Sequence, residues 1–368
     1  MTASFIVAAR RSAVVPKAGA FAHLSYFDLA APVIKACLQT CGLTPDDVDE
    51  LVAGNALGAG GNPARLMALA AGLPERVAGL SIDRQCCSGL DALNLADSLI
   101  RSGRAQIVVA GGAESYSRRP LRLRTFANGA APEPYEQAAF TPWPSSDPDM
   151  AGSANQLAED LGISRASQDG WAALSHEKAL AARDAQAAEI VEIAGVRHDV
   201  FARDLTPGLC KRATTITGNI TSANAAVAAD AAAFCVVVSE AVAKRLDVPM
   251  LRLVGGLTLG GRPDCPGLAP VAAIRAVLDD AKIGPGDIGV AEIMEAYAVQ
   301  AIACVYGAGL DEARVNLGGG ALARGHPIGA SGAINAVRLY HELTVRGGYG
   351  LAAIAAAGGL GTAVLLHA

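Results

Sequence analysis

Short apolar runs alternate with amphipathic helical patterns along most of the 368-residue chain. The run Ile107 to Ala110 ends in Gly111-Gly112 and is typical of a buried strand, whereas Leu90 to Ile100 repeats apolar positions at helical spacing. Strands that alternate with helices indicate crossover connections and sheets covered by helices on both faces. The pattern therefore predicts an α/β protein with mixed, largely parallel sheets.

Three landmarks occur twice, in the same order and at a nearly constant separation. Pro45 has its counterpart in Pro285, in a Thr-Pro and a Gly-Pro turn that each precede a strand pattern, and Ser88-Gly89 corresponds to Ser331-Gly332. The strand that ends at Gly111-Gly112 corresponds to the one that ends at Gly358-Gly359. We infer two structurally similar halves. A single doubly wound domain with coincidental glycines is the alternative.

The segment 116–228 does not follow this pattern. It begins with loop-like stretches, including the proline-rich 132–148 and the run Asp147 to Met150, and continues with amphipathic helices such as 166–183. Long insertions of this kind commonly shape a substrate site. We therefore expect an N-terminal half of 1–115 and 229–247, a loop domain of 116–228, and a C-terminal half of 248–368.

Composition narrows the range of partners. Only 4% of the residues are aromatic and 41 are glycine, so close backbone packing is expected. The formal charge of −5 argues against nucleic acid, which needs a basic face. Eight scattered cysteines predict neither a zinc site nor disulfides, and no apolar stretch predicts a signal peptide or membrane association. We expect a cytoplasmic protein with no bound metal.

Cys86 is the candidate nucleophile. It lies where a loop passes into the helical pattern that starts at Leu90, beside Ser88-Gly89. Backbone N–H groups at a helix start favour the thiolate over the thiol, which predicts a lowered pKa. A buried, inert cysteine is the alternative.

His326 is the candidate partner of Cys86. It precedes Ser331-Gly332 in the second half much as Cys86 precedes Ser88-Gly89 in the first. Two halves related by a pseudo-twofold axis would bring the two side chains together, and the imidazole could then take the thiol proton or donate to an oxyanion. A Gly-His-Pro turn without catalytic role is the alternative. The glycines 318–320 and 358–361 could line an oxyanion hole.

Along nearly its whole length the chain resembles the thiolase family. The blocks that carry this resemblance are IVAARR at 6–11, NPAR at 62–65, RQCCSGL at 84–90, GGAES at 111–115, EAYA at 295–298 and GHPIGASG at 325–332. The resemblance implies a five-layer α-β-α-β-α fold of two βαβαβαββ halves, a coenzyme A-binding loop domain, and a homodimer or homotetramer. It also implies coenzyme A as a substrate and no permanently bound cofactor.

The resemblance assigns site residues as well. It makes Cys86 the nucleophile and His326 its catalytic partner, and it implies an oxyanion hole of the backbone N–H groups of Cys86 and Ala357. The residues that it places against the acyl-CoA substrate are Met150, Arg203, Ala223, Ala226 and Tyr297.

Three positions depart from the family pattern. Ala355 stands where thiolases carry a second cysteine that moves the proton on the substrate carbon, and Met294 stands where an asparagine positions a water. Ala226 replaces a serine near the pantetheine. The sequence therefore predicts an acyltransferase that acts on acyl-CoA or 3-oxoacyl-CoA through an acyl-enzyme. The alternatives are a thioesterase, acyl transfer to an acceptor other than carbon, and a non-catalytic subunit that binds CoA thioesters.

Overall fold

The computed structural model describes residues 3–58 and 60–368. The strands are β1 (Ser4–Ser12), β2 (Val15–Pro16), β3 (Glu50–Gly54), β4 (Leu80–Ile82), β5 (Ile107–Glu114), β6 (Leu123–Arg124), β7 (Glu133–Pro134), β8 (Ile190–Val191), β9 (Thr215–Thr217), β10 (Ile220–Thr221), β11 (Ala229–Ser239), β12 (Leu251–Gly260), β13 (Ile288–Ile293), β14 (Tyr349–Ala356) and β15 (Leu360–His367). The helices are α1 (Tyr26–Thr40), α2 (Pro63–Ala70), α3 (Ser88–Arg101), α4 (Met150–Asp160), α5 (Arg165–Ala181), α6 (Pro207–Arg212), α7 (Glu240–Ala243), α8 (Ala269–Ala281), α9 (Ala298–Ala308), α10 (Ala321–Arg324) and α11 (Ile328–Arg346).

The strands form two half-sheets of the same design. The first has the order β4-β3-β5-β11-β1 and the second has the order β13-β14-β15-β12. They join where Ser4 to Ile6 of β1 pairs with Leu251 to Leu253 of β12. In each half, the strand that follows the long helix (β5 or β14) pairs in parallel with an earlier strand (β3 or β13). On its other side it pairs antiparallel with a later strand (β11 or β15). Strands β3 and β4 also pair in parallel. The sheets are thus mixed as expected, but the prediction that they are largely parallel is wrong, because β11 and β15 each run back along the preceding strand.

Five layers stack through the molecule. Helices α1 and α2 pack on the outer face of the first half-sheet, and α8 and α9 pack on the outer side of the second. Helices α3 and α11 lie between the two half-sheets and contact both of them. This arrangement confirms the predicted α-β-α-β-α fold. Leucines such as Leu90, Leu93 and Leu339 are fully buried in the central layer, and each such side chain contributes about 1.5–3 kcal/mol to stability.

The two central helices touch through their first turns. A Cβ atom on Gly89 would lie 2.8 Å from the backbone nitrogen of Ala333, and one on Gly332 would lie 2.6 Å from the backbone nitrogen of Leu90. These contacts are reciprocal, as expected for two equivalent helices crossing near a pseudo-twofold axis. Because glycine lacks a Cβ atom, the backbones can approach this closely, and the starts of α3 and α11 are brought together.

The repeat found in the sequence corresponds to equivalent elements. The turn Pro45–Asp47 precedes β3 and the turn Pro285–Asp287 precedes β13. Helix α3 is followed by β5 just as α11 is followed by β14. The second long helix begins at Ile328, three residues before Ser331, so Ser331-Gly332 lies within its first turn and does not open the helix.

The segment between β5 and β11 carries short strands, α4, α5 and α6. Helix α5 confirms the amphipathic pattern predicted at 166–183, and it packs on α9 and α10 of the second half. Met150 is the first residue of α4, whereas the sequence suggested a loop there; Asp149 caps this helix by accepting a hydrogen bond from the Gly152 N–H. The inserted segment therefore rests on the C-terminal half beside α9.

Candidate active site

A cavity of about 450 Å³ opens between the halves and the inserted segment. Cys86 and His326 both line it, so the two candidate catalytic residues share one space. Its wall also includes the small side chains of Ala225, Ala226 and Ala296. A cavity of this size can hold a small acyl group together with part of a longer carrier.

A strained turn presents Cys86 to this cavity. The chain leaves β4, passes through Gln85 in a left-handed conformation with φ of 53°, and enters α3 at Ser88. The Ser88 hydroxyl donates to the Gln85 carbonyl at 2.7 Å and accepts from the Arg84 N–H at 2.8 Å. A left-handed non-glycine residue costs about 1–2 kcal/mol. The hydrogen bonds to Ser88 hold the turn in this shape, and the turn aims the Cys86 sulfur into the cavity.

His326 comes from the second half and meets Cys86. Its Nε2 atom lies 3.0 Å from the Cys86 Sγ atom. The backbone N–H of His326 donates to the Val227 carbonyl at 2.7 Å, which fixes the loop against the segment that leads into β11. The predicted meeting of Cys86 and His326 about a pseudo-twofold axis is thus seen in the structure.

Ser331 determines which nitrogen of His326 faces the thiol as an acceptor. The Ser331 hydroxyl donates its single hydrogen to the Pro327 carbonyl at 3.0 Å and lies 2.7 Å from His326 Nδ1. When the hydroxyl donates to this carbonyl it accepts from Nδ1, and Nδ1 then carries the proton. The Nε2 lone pair is then left to accept the thiol proton of Cys86, which is the arrangement required of a general base.

The resting pair is neutral. The pKa of Cys86 is raised to about 12, chiefly by burial and also by the nearby carboxylates of Glu114 and Asp83, against the opposing effect of backbone N–H groups. Burial lowers the pKa of His326 to about 4. The prediction that the helix start yields a thiolate is therefore wrong for the free protein. Cys86 precedes the N-cap residue Cys87, and the cost of burying its charge exceeds the benefit of the helix end.

Two backbone N–H groups lie near the reacting sulfur. Those of Cys86 itself and of Ala357 both approach closely enough to act on its pKa. Ala357 follows β14, and Gly358 and Gly359 continue the turn with φ of 83° and 80° before β15 begins. These are the two groups that the resemblance to thiolases assigns to an oxyanion hole.

Two of the three departures from the family pattern, Ala355 and Met294, are not compensated by their neighbours. Ala355 lines the cavity, and its methyl group can neither accept nor donate a proton. Met294 is buried in the central apolar layer. The nearby amide of Asn316 already donates to the Ile293 carbonyl and to Glu295 Oε1. The site thus keeps the groups for sulfur chemistry and has no second acid or base at these positions.

The residues predicted to contact substrate separate into two groups. Met150, Ala226 and Tyr297 line the cavity. Arg203 and Ala223 are not among its lining residues: the Arg203 guanidinium lies over the Phe201 ring at 4.4 Å, and Ala223 is buried with its N–H donating to Thr221 Oγ1 at 3.2 Å.

Several polar residues near the pair were missed from the sequence. Tyr116, Arg119 and Arg122 line the cavity from the start of the inserted segment. Buried Glu114 accepts hydrogen bonds from the N–H groups of Ala56 and Gly329, at 2.9 and 3.0 Å, and so ties the first half to the loop of His326. Burial raises the pKa of Glu114 to about 7. The position of Glu114 in the GGAES block could have indicated its role from the sequence. Tyr116, Arg119 and Arg122 lie in a loop whose sequence has no hydrophobic periodicity.

Within residues 3–58 and 60–368, which the structure describes, no group of three or more His, Cys, Asp or Glu side chains is arranged to hold a metal ion. No helix in the same ranges has both the length and the apolar character needed to cross a membrane.

Comparison with known proteins identifies the family. Residues 4–241 match the thiolase N-terminal domain, and residues 248–368 match the thiolase C-terminal domain. The chain therefore belongs to the thiolase family. It is 38% identical over 392 residues to an acetyl-CoA acetyltransferase of Cupriavidus necator, with 100% of each chain covered.

Solved structures agree with this assignment. The acetyl-CoA acetyltransferase of Bacillus anthracis superposes with a TM-score of 0.93 at 33% identity, covering 100% of this chain and 99% of that one. The Acat5 thiolase of Ascaris suum, solved in complex with coenzyme A, gives a TM-score of 0.92 at 29% identity and covers 99% of both chains.

Proposed function

We propose that this protein is an acyl-CoA acyltransferase in which Cys86 carries the acyl group. The observation that carries the proposal is the 3.0 Å approach of His326 Nε2 to Cys86 Sγ inside a cavity, with the histidine tautomer set by Ser331. Relatives named as acetyl-CoA acetyltransferases support the reaction class, and the coenzyme A complex of the Ascaris suum thiolase supports the carrier.

Acylation proceeds by proton transfer and thioester exchange. The Cys86 thiol gives its proton to His326 Nε2 as its sulfur attacks the thioester carbonyl carbon. The carbonyl oxygen gains negative charge and accepts hydrogen bonds from the backbone N–H groups of Cys86 and Ala357. The intermediate collapses by breaking the bond to the CoA sulfur, and His326 returns the proton to that sulfur. Free coenzyme A and S-acyl-Cys86 result.

Deacylation depends on the acceptor. A second thiol can repeat the same steps in reverse, with His326 again taking and returning one proton. A carbon acceptor must first lose a proton from its α-carbon, and a positioned base for this step is worth about 10²–10⁴-fold in rate. Ala355 offers no such base. Transfer between thiols is therefore expected to be fast, and carbon–carbon bond formation is expected to be slow.

The remaining expectations are part of the same proposal. Coenzyme A acts as a substrate, and no cofactor is permanently bound. A homodimer or homotetramer is supported by the outer edge of the first half-sheet, where β4 ends the sheet and Leu66, Leu69 and Leu80 are exposed. Eight free thiols suit a reducing, cytoplasmic location. The division at 116 and 228 stays a prediction.

Isotope exchange tests the proposal. The protein is mixed with acetyl-CoA and labelled coenzyme A, without any other acceptor, and the label that appears in acetyl-CoA is measured. We expect rapid exchange in the unmodified protein and none in Cys86→Ala. Free acetate in place of exchange would show a thioesterase, and absence of both products would show a non-catalytic binder.

A further inference from the structure

Two arginines stand in the wall of the cavity that contains Cys86. Arg119 and Arg122 are both half-buried there, and Glu136 is the one carboxylate among the lining residues of the described chain. The protein as a whole is acidic, with a formal charge of −5. A local excess of positive charge in the cavity is therefore not a consequence of a generally basic surface.

Arg119 already has partners. Its guanidinium forms an ion pair with Glu136 and lies over the ring of Tyr116, 4.8 Å from the ring centre. These contacts account for its charge and hold it in place. Arg119 therefore supports the wall but is not the cation that a substrate would need to neutralise.

Arg122 is different. Its Nη2 atom donates to the Ala56 carbonyl at 2.9 Å, and no carboxylate of residues 3–58 or 60–368 lies within ion-pair distance of it. A guanidinium has five N–H donors in a fork that matches a carboxylate. The hydrogen bond to Ala56 thus fixes the Arg122 guanidinium, but no carboxylate neutralises its charge. Most of its N–H donors remain available to a ligand.

The anchor of Arg122 lies close to the catalytic pair. Ala56, whose carbonyl holds Arg122, donates its N–H to Glu114 Oε2 at 2.9 Å. The same oxygen accepts from the Gly329 N–H at 3.0 Å, three residues after His326. One carboxylate oxygen therefore joins the arginine's anchor to the histidine's loop, and Arg122 lines the same cavity as the reacting sulfur.

We propose that Arg122 binds a carboxylate at the far end of the acyl group, so that the preferred substrates are CoA thioesters of dicarboxylic acids. This inference rests on the proposed acyl transfer at Cys86. The phosphates of coenzyme A are the other source of an anion, but the pantetheine arm separates them from the thioester by a long extended chain. Because Arg122 shares the cavity with Cys86, we assign it to the acyl end of the ligand.

A pair of acyl groups of equal length tests the proposal. Glutaryl-CoA and pentanoyl-CoA each carry a five-carbon acyl chain and differ in the terminal carboxylate. The rate of thiol release on acylation of Cys86 is measured for both, first as coenzyme A and then as N-acetylcysteamine from the N-acetylcysteamine thioesters, which lack phosphates. A charge-assisted, bidentate contact predicts a preference for glutaryl of about 10- to 100-fold in kcat/KM with both carriers.

Variants assign the preference to one residue. Arg122→Gln should remove the preference for glutaryl and change the pentanoyl rate less than about twofold, since an apolar chain end gains nothing from the charge. Arg118→Gln is the matched control, because Arg118 is exposed and does not line the cavity. The preference of the unmodified protein is measured independently, so the proposal remains testable even if Arg122→Gln fails to fold.

Each other outcome overturns the assignment. Equal rates for glutaryl and pentanoyl in the unmodified protein contradict it directly. A loss in Arg122→Gln that is equal for both acyl groups and vanishes with N-acetylcysteamine thioesters assigns Arg122 to a coenzyme A phosphate. Failure of both thioesters to acylate Cys86 would overturn the acyl transfer itself, whereas acylation of Cys86 without preference overturns only the carboxylate site.

Discussion

The Cys86 sulfur and the His326 Nε2 atom lie 3.0 Å apart although 240 residues separate them along the chain. The crossing of α3 and α11 at Gly89 and Gly332 brings the two turns together. The pair is not an ion pair in the free protein, because burial disfavours the charge on both groups. Proton transfer must therefore accompany the attack on the thioester.

Ser331 should act on the chemistry only through His326. Replacing Ser331 with alanine removes the acceptor that holds the proton on Nδ1, so we expect the acylation rate to fall about 10- to 100-fold. His326→Ala should fall by about 10²–10⁴-fold with little change in KM for the thioester. The double variant should be no slower than His326→Ala alone. Additive losses would show that Ser331 stabilises the site by another route.

The pH dependence of acylation should show the lowered pKa of His326. The imidazole is neutral and able to accept a proton above about pH 4, and it loses this ability as the pH falls through that value. We expect kcat/KM to fall only toward this acid limit, while circular dichroism confirms that the protein stays folded. Burial also raises the pKa values of Glu114 and Glu292 to about 7, and of these two Glu114 contacts the loop of His326. A fall in kcat/KM near pH 6.5 that persists in Glu114→Gln would contradict a neutral Cys86–His326 pair.

Ala355 should slow proton removal from the substrate α-carbon but not the acylation of Cys86. We expect the unmodified protein to exchange the α-protons of acetyl-CoA for deuterium slowly, and Ala355→Cys to raise this exchange without accelerating acylation. Adding Met294→Asn should increase the exchange further. Ala353→Cys is the control, because Ala353 is a buried residue of the same strand and does not line the cavity. Fast exchange in the unmodified protein would require another base, with His326 the first to test.

The close contact of α3 and α11 at Gly89 and Gly332 can be tested by measuring the free energy of unfolding. Alanine is the better helix former by about 1 kcal/mol, but a Cβ atom on Gly332 would lie 2.6 Å from the Leu90 backbone nitrogen, which cannot move independently. We expect Gly332→Ala to lower the free energy of unfolding by about 1–3 kcal/mol in urea titrations. Gly286→Ala is the control, since its Cβ would meet no atom within 4 Å. Equal stability of both variants would show that the crossing can relax.

The sequence predicted the elements that local pattern and repetition encode. The internal repeat placed Cys86 and His326 together because equivalent helix starts meet at a pseudo-twofold axis, and the structure confirms the five layers. The direction of β11 and β15 was not predictable from periodicity, since parallel and antiparallel strands carry the same alternation.

The chemical environment of the site was harder to predict. The helix-start argument for Cys86 considered a local dipole, whereas the pKa follows from burial by residues distant in the sequence. Arg122 was missed because it lies in a loop without periodicity, and its charge becomes informative only when no carboxylate is found beside it. Met150 was assigned to a loop because the Asp149 cap was not recognised.

Intact-mass measurement after mixing with acetyl-CoA tests the central claim most directly. Cys86 and Cys87 are adjacent, but the Cys87 side chain is buried in the central layer with its thiol 3.5 Å from the Ile354 carbonyl. We therefore expect one acetyl group on the unmodified protein, one on Cys87→Ala and none on Cys86→Ala. An adduct that survives in Cys86→Ala, or that is lost equally in both variants, would contradict Cys86 as the acyl carrier.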